Sequence, residues 1–351
     1  MRELYDEIYA ILKRVDFKRI WNGFHRYPYA LYNDNTVYLR TGEVSYDPAF
    51  RGNTCILWKG DLLAIWRVDS EEKVKAEELA AEIAHEMFHA FQQEMGEERY
   101  PNDFKLLCYP LDIWNLFGKY NENLLLARSV KEKDREELRR ILALIGACRR
   151  KRAFLIGDFI CEEYRTETLE GMAEYTSLMV LKQIDDKLYE ERLEKYRGIL
   201  GECSFVQFDI RKISYITGAI LMLLLSEAGI DIYHKVGKEK RTVWELAAGR
   251  LQETEVELEA YSGIEKLLTE RKQRQKEQFR TFFRKSREKV TRAGIITGYD
   301  PMNMIRYKNL ILCTHFVEIT FEEDKNSLVI AGPVVVQLKE ENGRCISCYY
   351  R

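Results

Sequence analysis

The stretch AEIAHEMFHAFQQE, Ala81 to Glu94, limits the fold more than any other part of the chain. It places two of the five histidines four residues apart, with a glutamate directly after the first. An α-helix sets residues at that spacing one turn above each other on one face, so His85 and His89 can aim their imidazoles at a common point. Glu86 then stands beside that point. The spacing suits zinc, which takes neutral imidazole nitrogens at about 2.0 to 2.1 Å and keeps one position open for water when the site is catalytic. Glu86 becomes the general base that takes a proton from that water while the metal polarises a carbonyl. The bland alternative is two histidines on an amphipathic helix by accident. With so few histidines, on the order of 0.01 such five-residue matches are expected by chance. The local context agrees with the helix: Ala81, Ala84 and Phe88 can pack inward, and neither proline nor glycine interrupts.

Such a site needs a third protein ligand. After His89 the chain reads AFQQEM, which puts Gln92 and Met95 where a metzincin carries glycine and a third histidine. That class is excluded. His25, His234 and His315 stand alone in unrelated contexts and read as surface or satisfied core residues. A carboxylate fits better, and TETLEGMAEY, Thr166 to Tyr175, supplies one inside a predicted helix. This segment resembles the second metal helix of the gluzincin peptidases, the thermolysin-like and aminopeptidase-like group, with its Glu-Gly-x-Ala-x-Tyr pattern. The resemblance implies that Glu170 is the third ligand, that Glu174 hydrogen-bonds a ligating histidine, and that the cofactor is Zn2+. The residues allow the same assignment, because Gly171 leaves the helix surface bare beside Glu170, so that another helix carrying a metal can approach. Against it, Glu163, Glu167, Glu170 and Glu174 could form one solvated acidic stripe, although Leu169, Met172, Ala173 and Leu178 surround the last two. Tyr215 opens a Tyr-x-x-Gly segment where related enzymes often supply a hydroxyl to the oxyanion; core packing is its other reading. The resemblance covers under half of the chain. It departs from thermolysin-like enzymes in the long interval between His89 and Glu170, which contains a basic helical segment from Arg135 to Arg152.

Around these motifs the chain reads as α+β, mainly helical. Residues 1 to 20 predict a helix; Thr36 to Arg40, Asn53 to Lys59 and Leu62 to Val68 predict strands, the last two joined at Gly60-Asp61. A helix should run from an N-cap at Ser70 to about Met95. Further helices are expected over 120 to 128, 132 to 157, 161 to 184, 187 to 199, 211 to 228 and 242 to 251, the last opened by a Thr242–Glu245 capping box. The expected organisation is a zincin-like body over 1–268, a charged helix or linker over 269–293, and a small C-terminal β region over 294–351. There Asn309 to Phe321, Ser327 to Leu338 and Arg344 to Tyr350 read as strands. Cys313, His315, Cys345 and Cys348 are a loosely spaced candidate for a second, structural zinc.

With 351 residues, 46% hydrophobic content and a net charge of -2, the chain can bury a large core and does not read as a polyanion binder. Phe279, Phe282 and Phe283 among the basic residues from Arg271 to Arg292 read as a solvated amphipathic helix in preference to a nucleic-acid surface. The apolar run from Ile213 to Leu225 is too short to span a bilayer, and the N-terminus lacks the apolar stretch of a signal peptide. Eight scattered cysteines read as reduced thiols, so the cytosol is the expected compartment. Together these readings predict zinc-dependent hydrolysis of a peptide or protein substrate, with no membrane and no nucleic-acid partner. The alternatives are a non-catalytic zincin-fold binding or regulatory module and a zinc hydrolase of a non-peptide amide.

Overall fold

The computed structural model describes residues 1–68, 75–232, 235–323, 325–340 and 343–351. The chain is α+β and mainly helical, with one sheet near each end. It opens with α1 (Arg2–Leu12), which turns Tyr5, Ile8, Ile11 and Leu12 inward, and a single turn, α2 (Phe17–Ile20). One helix was expected here. Asp16 divides it, because its side chain accepts from the Arg19 amide and starts the second helix afresh.

The first sheet contains β1 (Tyr29–Tyr32), β2 (Thr36–Leu39), β3 (Gly42–Ser45), β4 (Thr54–Trp58) and β5 (Asp61–Arg67), in the order β3-β2-β1-β5-β4. β1 runs parallel to β5 and the other pairs are antiparallel. Trp58 pairs with Asp61, so the hairpin turns on Lys59-Gly60, one residue earlier than expected. Both have positive φ, 54° and 96°, as a type I′ turn requires. Among the described residues β4 has no strand partner beyond β5 and forms an edge. Across this sheet lies α3 (Ala76–Glu94), packed on β5, β4 and α1; the N-cap expected at Ser70 falls outside the described residues.

The helical body continues with α4 (Asp103–Leu106), α5 (Ile113–Ser129), α6 (Arg135–Ile156), α7 (Phe159–Ile184), α8 (Asp186–Gly201), α9 (Ile210–Glu227) and α10 (Val243–Ala248). The capping box at Thr242 and Glu245 is formed. α7 is the central element, packed against both α3 and α9. A Cβ added to Gly171 would lie 2.5 Å from the Gly218 Cα, and one added to Gly218 would lie 2.6 Å from the Glu167 carbonyl oxygen. The bare surface beside Glu170 therefore admits α9, and not the histidine helix. α9 is the longest apolar run, and no described helix is long and apolar enough to cross a membrane.

α11 (Ser262–Lys285) carries both sides of the expected junction at 268/269. Its Ile264 and Leu268 pack with Leu116, Phe117, Tyr120 and Phe208 of the body, while Phe279 and Phe282 pack with Leu312 and Val335 of the C-terminal strands. Those strands are β6 (Lys289–Val290), β7 (Gly294–Tyr299), β8 (Met304–Tyr307), β9 (Leu310–Cys313), β10 (Phe316–Phe321), β11 (Ser327–Ala331), β12 (Val334–Leu338) and β13 (Cys345–Tyr350). They form an antiparallel sheet in the order β11-β10-β7-β13-β12-β9-β8, with β6 beside β13. The stretches 309–321 and 327–338, each expected as one strand, are each two, broken at Thr314-His315 and Gly332-Pro333.

Candidate metal centre

Where α3 crosses α7, His85, His89 and Glu170 converge. The two Nε2 atoms are 3.2 Å apart, and Glu170 Oε2 lies 3.2 Å from that of His89 and 3.7 Å from that of His85. Three ligands at about 2.0 to 2.1 Å around a tetrahedral ion sit about 3.3 Å from one another. The triangle matches that spacing.

The other ring nitrogens decide what these atoms offer. His85 Nδ1 lies 3.1 Å from Glu174 Oε2 and so carries the proton that this carboxylate accepts. His89 Nδ1 lies 2.7 Å from Gln92 Oε1. The Gln92 amide cannot turn round, because its nitrogen donates to the Leu169 carbonyl at 3.0 Å. With the rings neutral, both Nε2 atoms present lone pairs, and they face a carboxylate oxygen. An all-acceptor triangle of this size repels itself unless a positive charge sits inside it, either a metal ion or a proton on one imidazole. Glu174 is held in turn by the Tyr196 hydroxyl and by Arg192, 3.6 Å away, which also pairs with Glu82 at 2.7 Å.

Charge shifts follow from this crowding. Burial favours neutral His85, but Glu170 and Glu174 outweigh it and draw the imidazole well above its ordinary range. Burial likewise opposes ionisation of Glu170, yet His89 and Arg211 hold it well below the usual carboxylate range. Arg211, from the first turn of α9, donates to Glu170 Oε1 at 2.7 Å and also binds Asp103. Glu86 differs. Burial pushes its carboxyl up, the two histidines only partly offset this, and among the described residues nothing hydrogen-bonds it. A proton acceptor with a raised pKa, left free of partners, is suited to general-base work. The Tyr215 ring stacks on His85, with centroids 5.7 Å apart and planes 10° from parallel. Burial, then the Glu170 charge, pushes its phenol well above the ordinary range.

A second group could hold a cation by proximity alone: Glu122, Glu163 and Glu167. It is already balanced by three cations. Arg149 reaches Glu122 and Glu167 at 2.5 and 2.9 Å, Arg152 reaches Glu122 and Glu163 at 2.6 and 2.5 Å, and Lys119 reaches Glu163 at 2.5 Å. The acidic stripe of α7 is therefore buried along its whole length. The basic insertion supplies the counterions for one half of it.

The structure thus brings together His85, Glu86, His89, Glu170, Glu174 and Tyr215. It does not bring together Cys313, His315, Cys345 and Cys348: Cys313 is buried in β9, while the exposed His315 pairs with Asp300 at 2.7 Å. These residues form no candidate metal group among the described residues. His25 stacks on Tyr27, and His234 lies outside the described residues. Sequence reasoning missed Gln92, Tyr196, Arg192 and Arg211. Gln92 sits one turn beyond His89, a spacing that could have drawn attention to it; the others come from distant segments with no local signal. No family model matches the chain, and neither does any curated protein or solved structure.

Proposed function

We propose that the chain is a zinc-dependent peptidase of gluzincin type. The observation that carries this reading is the all-acceptor triangle of His85, His89 and Glu170, with both imidazole tautomers fixed from behind. When bound there, zinc would polarise the substrate carbonyl and acidify a water. Glu86 accepts the proton and later returns it to the leaving amine. Its buried, raised carboxyl gives it a basicity nearer neutrality than an ordinary glutamate has. Tyr215 donates its hydroxyl to the oxyanion that develops on the carbonyl, and its stacking on His85 fixes the ring for that task.

The edge strand β4 supports a peptide substrate over other amides. It packs beside α3, and burial followed by the nearby Glu86 charge pushes the Cys55 thiol of this strand up to about 12. An extended chain added to this edge would gain main-chain hydrogen bonds within reach of Glu86. The eight free cysteines support a reducing compartment such as the cytosol.

The test is Glu86→Gln. The variant should fold, retain about one zinc per chain by elemental analysis, and lose hydrolysis of a peptide library, since an amide cannot accept the proton. Near-normal hydrolysis by the variant, or a wild-type chain that takes up no zinc at neutral pH, would refute the proposal.

A further inference from the structure

A cleft of about 540 Å³ opens between α4, the start of α9, α11 and the turn joining β8 to β9. Its wall carries Arg211, Arg271, Arg274, Arg306 and Lys308 against two carboxylates, Asp103 and Asp209. Both acids are already engaged. Asp103 is bound by Arg211 and accepts from the Tyr299 hydroxyl at 3.0 Å, while Asp209 caps α9 and pairs with Lys212 at 3.3 Å. Several of the cations are not matched in this way. Arg271 is half-buried and donates to the Phe208 carbonyl at 2.9 Å; Arg274 lies 4.0 Å over the Phe205 ring. Among the described residues neither of these, nor the exposed Lys308, has a carboxylate within ion-pair distance.

Holding the Arg271 and Arg274 guanidinium groups in one concave site with no carboxylate in ion-pair contact with either is unfavourable, and an anionic ligand relieves it. Arg211 belongs both to this wall and to the metal triangle, where it binds Glu170. The cleft therefore begins one side chain away from the reacting position. We infer that the cleft binds acidic side chains of an extended peptide, which makes acidic peptides the substrate class of the proposed peptidase, on which this inference rests. Guanidinium groups suit the planar carboxylates of Asp and Glu, and the aromatic and apolar residues between them, Phe205, Leu106 and Met302, suit the rest of a peptide. Nucleic acid fits less well. Its phosphates need a continuous basic track, whereas these cations are gathered in one hollow of a chain whose net charge is -2.

Fluorescence anisotropy of the full-length Glu86→Gln chain with labelled tetraglutamate and tetraglutamine peptides tests this without consuming the probe. Tetraglutamate should bind at least about tenfold more tightly than tetraglutamine, and more weakly as salt is raised. Arg274→Gln with Lys308→Gln, both at exposed positions that folding can spare, should weaken tetraglutamate about tenfold, roughly threefold for each cation. Equal affinity for the two peptides, or an unchanged affinity in the double variant, overturns the inference. So does displacement of the peptide by a lower concentration of a single-stranded oligonucleotide, which would assign the cleft to nucleic acid. Zinc content and hydrolysis by the wild-type chain, measured alongside, separate the two readings. A zinc-bearing, active enzyme without charge-dependent binding sinks the acidic-peptide assignment alone, whereas charge-dependent binding by an inert, zinc-free chain sinks the peptidase reading and leaves the cleft as an acidic-peptide site.

Discussion

The contact between Gly171 and Gly218 links stability to the site, and a single methyl group tests it. Alanine at 171 would place its Cβ 2.5 Å from the Gly218 Cα, 2.8 Å from the Gly218 carbonyl carbon and 3.2 Å from the Ala219 nitrogen. Ordinary contacts begin at 3.4 Å, so α7 and α9 must part by about 0.9 Å. All three atoms are backbone, and no rotamer change can relieve the clash. Overpacking of this kind costs about 1 to 3 kcal/mol, against about 0.5 to 1 kcal/mol that alanine returns through its better helix propensity. Gly171→Ala should therefore lose up to about 2.5 kcal/mol. Gly198 is the control. It lies in α8 with nothing within 4 Å of an added Cβ, so Gly198→Ala should gain about 0.5 to 1 kcal/mol. Urea unfolding midpoints of the two variants should move in opposite directions. Because Tyr215 and Arg211 ride on α9, turnover per folded molecule should also fall in Gly171→Ala and stay unchanged in Gly198→Ala. A stabilised Gly171→Ala, or equal shifts in both variants, would refute the close helix contact and its role in seating Tyr215.

Glu170→Ala should nearly abolish tight zinc binding, while Glu174→Ala, which removes only the partner of His85, should weaken it about 10- to 100-fold in competition with a chelator; the reverse order would move the third ligand elsewhere. Tyr215→Phe should lower turnover with the unfolding midpoint nearly unchanged, and a lower midpoint with normal turnover per folded molecule would assign the ring to packing. Arg152→Leu should cost about 3 to 5 kcal/mol in urea, since it strips Glu122 and Glu163 of a buried counter-charge, and a loss below about 1 kcal/mol would contradict the network. Burial opposes ionisation of Glu122 and Glu163, but Arg149, Lys119 and Arg152 outweigh it and hold both below the ordinary glutamate range. With the folded values depressed, the stability they confer is fully present above the unfolded value of about 4.3 and is lost as pH falls through the folded ones. Urea midpoints should then hold from neutrality to about pH 5 and fall below about pH 4, and a decline that begins above pH 6 would speak against this assignment.

What the sequence made legible was local. His85, Glu86 and His89 share one helix, and Glu170 and Glu174 share another, so spacing alone could place each set on a face. Two strands of four residues escaped for an equally local reason: Tyr29 to Tyr32 is buried at every position and shows no alternation, and Gly42 to Ser45 lacks an inward apolar row. The start of α5 was missed although Asp112 caps it and Ile113, Leu116, Phe117 and Tyr120 follow at helical spacing. Distant pairings left no trace at all. Arg149 and Arg152 read as part of a basic surface segment, yet both are fully buried against glutamates of two other helices.

Those pairings bear on how α7 can bury the four glutamates of its stripe, Glu163, Glu167, Glu170 and Glu174. Glu163 and Glu167, with Glu122, face Lys119, Arg149 and Arg152, so three acids meet three cations and the charges balance. Along the same helix the balance changes. With both imidazoles neutral, Glu82, Glu86, Asp103, Glu170 and Glu174 face Arg192 and Arg211, with Arg344 acting on Asp103. Burial, with Glu174 beside it, pushes Glu82 upward, and Glu86 is pushed upward as well, the response expected of acids that lack counter-charge. A dication in the triangle would supply two further positive charges and lower the basicity of Glu86 least, since that carboxylate stands beside His85, His89 and Glu170 and not among them. The sequence shows four glutamates at helical spacing; only the fold distinguishes the half whose charge buried cations match from the half where acids outnumber them.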